Sequence, residues 1–231
     1  MNAAAGKYVL WIFWDADARA RQRLFAPLPL LEERLRRAGG IEAALWHVPE
    51  TVADPCLGHA SPRQAVLQLH FGSLQAMRRC LEAGSSLWHA LQHWAAGDWP
   101  GGVSIQAMEM SMQSGSPPAG PSCAYVVGYE GQGGGREWAR RYHSEHVDLM
   151  RRLPGIRQVE VHVRAPCPVG WPVPVRPWLL RNRAVFDDAA AMQAALESPA
   201  RLAMRQHRHA MPPLGGANEH IAMRACPLRL S

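Results

Sequence analysis

The residues GIEAALWHV at 40–48 return as GIRQVEVHV at 155–163, and the same separation of 115 positions recurs along the chain without a gap. Gly40 pairs with Gly155, His47 with His162, Phe71 with Phe186 and Met77 with Met192. Leu81-Glu82 pairs with Leu196-Glu197, and Ala107-Met108 with Ala222-Met223. One fixed offset across separate blocks implies a tandem duplication of a unit of roughly 105 residues, the size of a domain and far longer than a solenoid repeat. The expected units are 1–113 and 123–231, joined by the Pro/Gly/Ser linker SGSPPAGPS at 114–122.

Each copy spells the same order of elements. In the first, YVLWIFW (8–14) reads as a strand, and Arg19 to Ala38 as a helix with the stripe Leu24, Leu28, Leu31 and Leu35 that stops at Gly39-Gly40. A strand over 41–48, a loop over 49–62 and the strand VLQLHF (66–71) follow. A helix from Ser73 to Ala83, further helical packing from Leu87 to Trp94 and the strand VSIQAMEM (103–110) complete the copy. The second runs AYVVGY, a helix from Glu137 to Leu153, IRQVEVHV, a Pro-rich loop (167–177), LLRNRAVF, a helix from Asp188 to Glu197, and HIAMRA. The order βαββαβ, twice, is the split-βαβ pattern. It predicts an α+β fold in which two tandem ferredoxin-like units pair as an intrachain α/β barrel. With period two, Val159, Val161 and Val163 face the helices, while Gln158, Glu160 and His162 face the partner sheet. A polar lining inside the barrel leads us to expect a wet or ligand-holding cavity there.

Composition narrows the function classes. The net charge of +6 is almost all arginine, since Lys7 is the sole lysine. The arginines fall in scattered pairs (Arg36-Arg37, Arg78-Arg79, Arg140-Arg141, Arg151-Arg152) at helix-like positions, which reads as solvated helix faces rather than a nucleic-acid surface. An Ala/Arg-rich, Lys-poor chain fits a GC-rich bacterial genome. No apolar run reaches the ~18 residues of a membrane span. The N-terminal run MNAAAGKYVLWIFWDAD, broken by Asp15 and Asp17, does not read as a signal peptide, so a cytoplasmic protein is expected. Five cysteines with no CxxC pair argue against a disulfide framework or a cysteine-built zinc site.

The densest chemistry lies in YHSEHVDLMRRLPGI (142–156). This stretch resembles the EthD family of dimeric α/β-barrel proteins through Tyr142, His146, Leu149 and Leu153-Pro154-Gly155-Ile156, with Asp148 where the family has Pro. AVFDDAAAMQAALESP (184–199) is similar to the family's Phe-Asp segment and Ala-rich helix. The resemblance implies that the helix histidine lines a cavity between the first helix and the sheet. An imidazole that titrates near neutrality makes His146 the candidate general acid or base, with Tyr142, His143 or Glu160 orienting the substrate. At offset 115 the first copy carries Leu31 for His146 and Leu28 for His143, which points to one active and one scaffolding half.

His47 and His162, present in both copies, and Glu160 and Gln158 beside His162 are candidate ligand contacts, with a hydrogen-bonded core as the other reading. His143 and His146 lack a third ligand nearby, and His89 and His93 lack an HExxH context, so no metal is expected. QGGGRE (132–137) lacks the GK[ST] ending of a phosphate loop. The tryptophans (Trp88, Trp94, Trp99, Trp138, Trp171 and Trp178) read mainly as packing.

Together these readings lead to a small apolar metabolite, aromatic or polyketide-like, held in the second half. The expected chemistry is cofactor-free proton transfer of monooxygenase, decarboxylase, dehydratase or isomerase type. Two alternatives stay open: a haem served by Arg205, His207 and His209, and a non-catalytic ligand carrier or stress-associated protein. Whether the paired halves pair again with a second chain as a homodimer is also open.

Overall fold

The computed structural model describes residues 7–15, 28–57, 64–94, 102–131 and 135–230. Its first half runs β1 (Tyr8–Asp15), α1 (Leu28–Ala38), β2 (Ala43–Pro49), β3 (Gln64–Phe71), α2 (Leu74–Leu81), α3 (Ser86–Trp94) and β4 (Val103–Gly115). The second half runs β5 (Ser122–Gly131), α4 (Gly135–Arg141), a π-helical turn (Tyr142–His146), α5 (Val147–Met150), β6 (Gln158–Arg164), β7 (Trp178–Phe186), α6 (Ala189–Leu196), α7 (Pro199–Ala210) and β8 (Gly215–Pro227). Elements stand at the sequence offset: β2 and β6, and α2 and α6, begin and end 115 residues apart. Gly40 and Gly155 both hold φ near +70°, the left-handed helix stop that a residue without Cβ adopts freely.

The eight strands close an antiparallel barrel in the order β1-β3-β2-β8-β5-β7-β6-β4. Each half contributes four consecutive strands in the ferredoxin-like order, and the α/β barrel expected from the repeat is what the chain forms. The halves join twice, through β2 with β8 (His47 opposite Ala225) and β4 with β6 (Met110 opposite His162). Neither sheet keeps an exposed edge for another chain to pair with. Among the described residues, no helix is long and apolar enough to cross a membrane.

Several boundaries differ from the sequence reading. The part of the first helix before Leu28 lies outside the described residues. β4 continues to Gly115, into the segment read as linker, after a register shift between Met110 and Met112. The helix expected over Glu137 to Leu153 is interrupted by the π-turn. α7 was not anticipated. Ser198 caps it by accepting from the backbone N–H of Arg201, with Pro199 in its first turn.

Strand alternation separates two environments. Residues facing the helices form one apolar core per half, and the opposite set fills the barrel. The expectation of a cavity inside the barrel is corrected here. Val9, Trp11, Phe13, Val66, Met108, Ala124, Val126, Ile221 and Met223 pack its interior. Eight strands leave room for little more than side chains. The Trp11 ring lies against His47 (centroids 6.0 Å) and edge-on to His162 (5.6 Å). Glu160 pairs with Arg183 at 3.2 Å, Arg183 donates to Gln158 at 3.3 Å, and Gln68 bonds His47 at 3.0 Å. Arg181 donates to Glu219 at 3.1 Å and lies over Phe13, 4.4 Å from the ring centroid. Part of the polar set is thus tied to itself, while both ring nitrogens of His162 and Nε of Arg183 make no hydrogen bond.

Burial leaves these histidines uncharged. It pushes His47 down to about 3, assisted by Arg183, and His162 to about 4 against the pull of the Glu160 carboxylate. Burial alone would raise the Glu160 carboxyl, but the Arg183 guanidinium beside it outweighs that and holds it at about 2. A histidine lowered in the fold is protonated first in the unfolded chain. Stability should therefore fall as pH drops from 6.5 towards 4, by about 1.4 kcal/mol per pH unit for each such buried histidine. Urea midpoints measured across that window should decline steadily. A flat profile would contradict the buried, neutral histidines.

Candidate active site

The cavity lies on the other face of the second-half sheet, beneath the helices. Its volume is about 160 Å³, close to that of a cavity that accepts one benzene-sized ring. The floor comes from alternate residues of two strands, Tyr125, Val127 and Tyr129 on β5 and Asn182, Ala184 and Phe186 on β7. His146, Met150 and Leu153 form one wall, and Arg201, Met204, Arg205, Arg208 and His209 of α7 another. Cys56 and Leu57 of the first half close a third side.

The first half has filled the corresponding space. Trp14 and Trp46, with ring centroids 5.5 Å apart, pack there with Leu31 and Leu35. At offset 115 the second half carries Tyr129, Val161 and His146 in place of Trp14, Trp46 and Leu31. The exchange of indoles and leucine for smaller or polar groups accounts for a cavity in one half and a solid core in the other.

The π-turn sets the histidine. The Val147 N–H bonds to Tyr142 O, five residues back, so the turn holds one residue more than an α-helical turn. Both His146 and Val147 then face inward and are buried. The His146 ring stacks on Tyr142 at 4.5 Å, and Tyr142 stacks on Trp138 at 5.2 Å. Tyr142 accepts from the Asn182 amide and reaches Met150 Sδ at 3.7 Å. Burial raises its phenol well above the ordinary range. His146 Nδ1 lies 3.1 Å from His207 Nδ1, and His207 Nε2 lies 2.9 Å from Glu145 Oε2. Burial, then the positive fields of His207, Arg201 and Arg208, push the His146 imidazole down to about 3.

Asp54 reaches in from the β2–β3 loop of the first half. It accepts from Tyr125 Oη at 2.5 Å and from Arg201 Nη2 at 2.6 Å. These two partners outweigh its burial and hold the carboxyl below its ordinary value. Two hydrogen bonds of 2.8 Å between Ala53 and the Gln193 side chain fasten the loop to α6. Tyr125 also lies 3.1 Å from His220 Nδ1. Arg208 lies over Tyr129 and Trp138, 5.4 and 5.3 Å from their centroids. With Arg201 matched by Asp54, Arg205 and Arg208 leave this end of the cavity cationic.

The residues singled out from the sequence divide by position. His146 lines the cavity, with Tyr142 stacked behind it. His143 turns towards β4, where its Nε2 donates to Ser111 Oγ at 2.9 Å, and burial lowers its pKa. His162, Glu160, Gln158 and His47 face the barrel interior, on the opposite side of the sheet from the cavity, because strand phase assigns them there. Among the described residues, no group of three or more His, Cys, Asp or Glu side chains is placed to hold a metal ion. The haem alternative fits these residues poorly. Both His207 ring nitrogens are already engaged, and the cavity is of single-ring size.

Sequence reasoning missed Asp54, Tyr125, Arg201 and Arg208, and the partnership of His207 with His146. A signal for α7 existed: the helical stretch at Leu87–Trp94 corresponds in position, at offset 115, to 202–209, and Ser198-Pro199 is a helix-start pair. For Asp54 there was none, since its partner Arg201 is 147 residues away.

No protein-family model matches the chain, and no curated protein matches it significantly. Solved structures do share its fold. An anthrone oxidase-like protein superposes with a TM-score of 0.62 at 12% identity, over 96% of this chain and 92% of that one. A putative monooxygenase from Fusobacterium nucleatum gives 0.59 at 8% identity, over 97% and 94%. One from Lactobacillus acidophilus gives 0.56 at 8%, over 94% of each chain. At these identities the likeness shows the ferredoxin-like α/β-barrel fold, spanning both halves.

Proposed function

We propose that the second half is an EthD-like active site that binds a small aromatic or polyketide-like metabolite, and that His146 moves a proton on it without a cofactor. The observation that carries this reading is a buried, uncharged imidazole in the wall of a cavity with an aromatic floor and a cationic end. In such a site an acidic C–H or phenolic O–H placed against His146 can be deprotonated. Arg205 and Arg208, at the cationic end of the cavity, would then stabilise the anion that forms. Oxygenation, decarboxylation, elimination or reprotonation of such an anion are all open to it. The likeness to an anthrone oxidase-like protein and to putative monooxygenases supports the oxygenation branch.

In this reading 123–231 is the active unit and 1–113 the scaffold, with Asp54, Cys56 and Leu57 as the scaffold's contribution to the site. Tyr142 positions the His146 ring, and the barrel-facing set of His47, Gln158, Glu160 and His162 holds the two sheets together. Binding is testable before the reaction is known. At a hundred times its Kd, a single-ring phenolic probe such as p-cresol should stabilise the protein by about 2.7 kcal/mol. Ala184→Phe, which fills the cavity floor, should remove that stabilisation while the protein stays folded. Equal stabilisation of Ala184→Phe and the parent would place the ligand elsewhere.

A further inference from the structure

We propose that His146, His207 and Glu145 form a proton relay that carries the ligand's proton to solvent and returns one to the product; this rests on the cavity being an active site. With His207 neutral, its hydrogen-bond partners set the direction. A carboxylate accepts only, so His207 Nε2 must carry the hydrogen it shares with Glu145 at 2.9 Å. In a neutral His207 that leaves Nδ1 as a lone pair. The 3.1 Å contact to His146 Nδ1 is then a bond in which His146 donates. His146 is left with a bare Nε2, the nitrogen a general base needs. A carboxylate in solvent thus sets the tautomer of a buried base two links away.

The relay answers a physical difficulty. His146 sits where a positive charge is disfavoured, buried and close to His207, Arg201 and Arg208. Its other titratable neighbours are Tyr142 behind the ring, Tyr125, Tyr129 and His220 on the sheet, and Arg205 and His209 on α7. Asp54, from the first half, is held by Arg201. Arg141 pairs with Glu145 at 3.1 Å. When Nε2 takes the ligand's proton, the Nδ1 hydrogen passes to His207. The charge then rests on a ring that is 18% exposed and faces Glu145, rather than in the cavity wall. His207 hands its Nε2 hydrogen to Glu145 Oε2, so one proton leaves the ligand and one stands on a carboxyl open to solvent. The chain is left reversed, with the Glu145 carboxyl donating to His207 Nε2, His207 Nδ1 donating to His146 Nδ1, and His146 Nε2 protonated. In that polarity His146 is an acid. It gives its Nε2 proton to the product and regains its Nδ1 hydrogen from His207, and His207 takes its Nε2 proton back from Glu145.

The first test needs no substrate. Nitrogen NMR of ¹⁵N-histidine-labelled protein at neutral pH, with the His146 signals assigned by their loss in His146→Gln, should show Nδ1 protonated and Nε2 bare. In His207→Phe, and in His207→Gln as a second variant, His146 should shift to the Nε2–H form. A parent His146 with its hydrogen on Nε2, or a tautomer unmoved by both variants, would overturn the relay. Where turnover is measurable, His207→Phe should lower kcat at least about tenfold with KM held. Added imidazole should restore part of that loss in His207→Ala. If kcat is unchanged in His207→Phe while His146→Ala is inactive, the relay fails and the base assignment stands. If His146→Ala is fully active, the base assignment itself fails.

Discussion

His146→Ala is expected to lower turnover by roughly 10²–10⁴-fold, the usual contribution of a positioned general acid or base, while ligand affinity changes little. The ring is one wall of the cavity, and its loss enlarges the space without removing the aromatic floor or the cationic side. The His146 ring stacks on Tyr142, which is anchored separately by Trp138 and Asn182, so the helix should persist. The measurement is a paired one: binding of the aromatic probe by calorimetry, and product formation with any substrate found. Binding retained with turnover lost supports catalysis through this ring. Binding retained with no product from either protein would favour the carrier reading. Full turnover in the variant would remove His146 from the chemistry.

The largest expected effect on stability lies on the opposite face of the sheet. Glu160→Ala should cost about 3–5 kcal/mol, because it leaves the Arg183 guanidinium buried without its counter-charge. Glu160 and Arg183 are 2% and 1% exposed and 3.2 Å apart, so solvent cannot take over the charge. The double variant Glu160→Met with Arg183→Met should recover most of the loss, since an apolar pair carries no desolvation cost. Urea unfolding of the three proteins at neutral pH would measure both values. A single-variant loss below about 1 kcal/mol would mean that water reaches the barrel interior.

The period-two pattern of β6 was sufficient to assign faces. Val159 and Val161 join the helix-side core, and Gln158, Glu160 and His162 turn inward. The meaning of that polar face was not legible. Alternation shows which side a residue takes, but whether the enclosed space is empty depends on what the other sheet sends in. Here Trp11, Phe13 and the two arginines of β7 occupy it. His146 stood out through its motif and through Leu31 in the other copy. Its partner His207 did not, because a contact between two helices 61 residues apart has no local signature.

By itself the sequence determined the 115-residue offset of like residues, the order of the strands, the barrel they close and the half with imidazoles on its helix. Those properties follow from periodicity, helix-stop glycines and an offset, all written along the chain. Only the tertiary structure decided which face holds the cavity, that Asp54 crosses from one half to the other, and that His146 is chained to a carboxylate in solvent. These depend on the relative volumes of side chains brought together from distant segments. The exchange of Trp14 and Trp46 for Tyr129 and Val161 acquires its effect only once the helices are packed over the sheets.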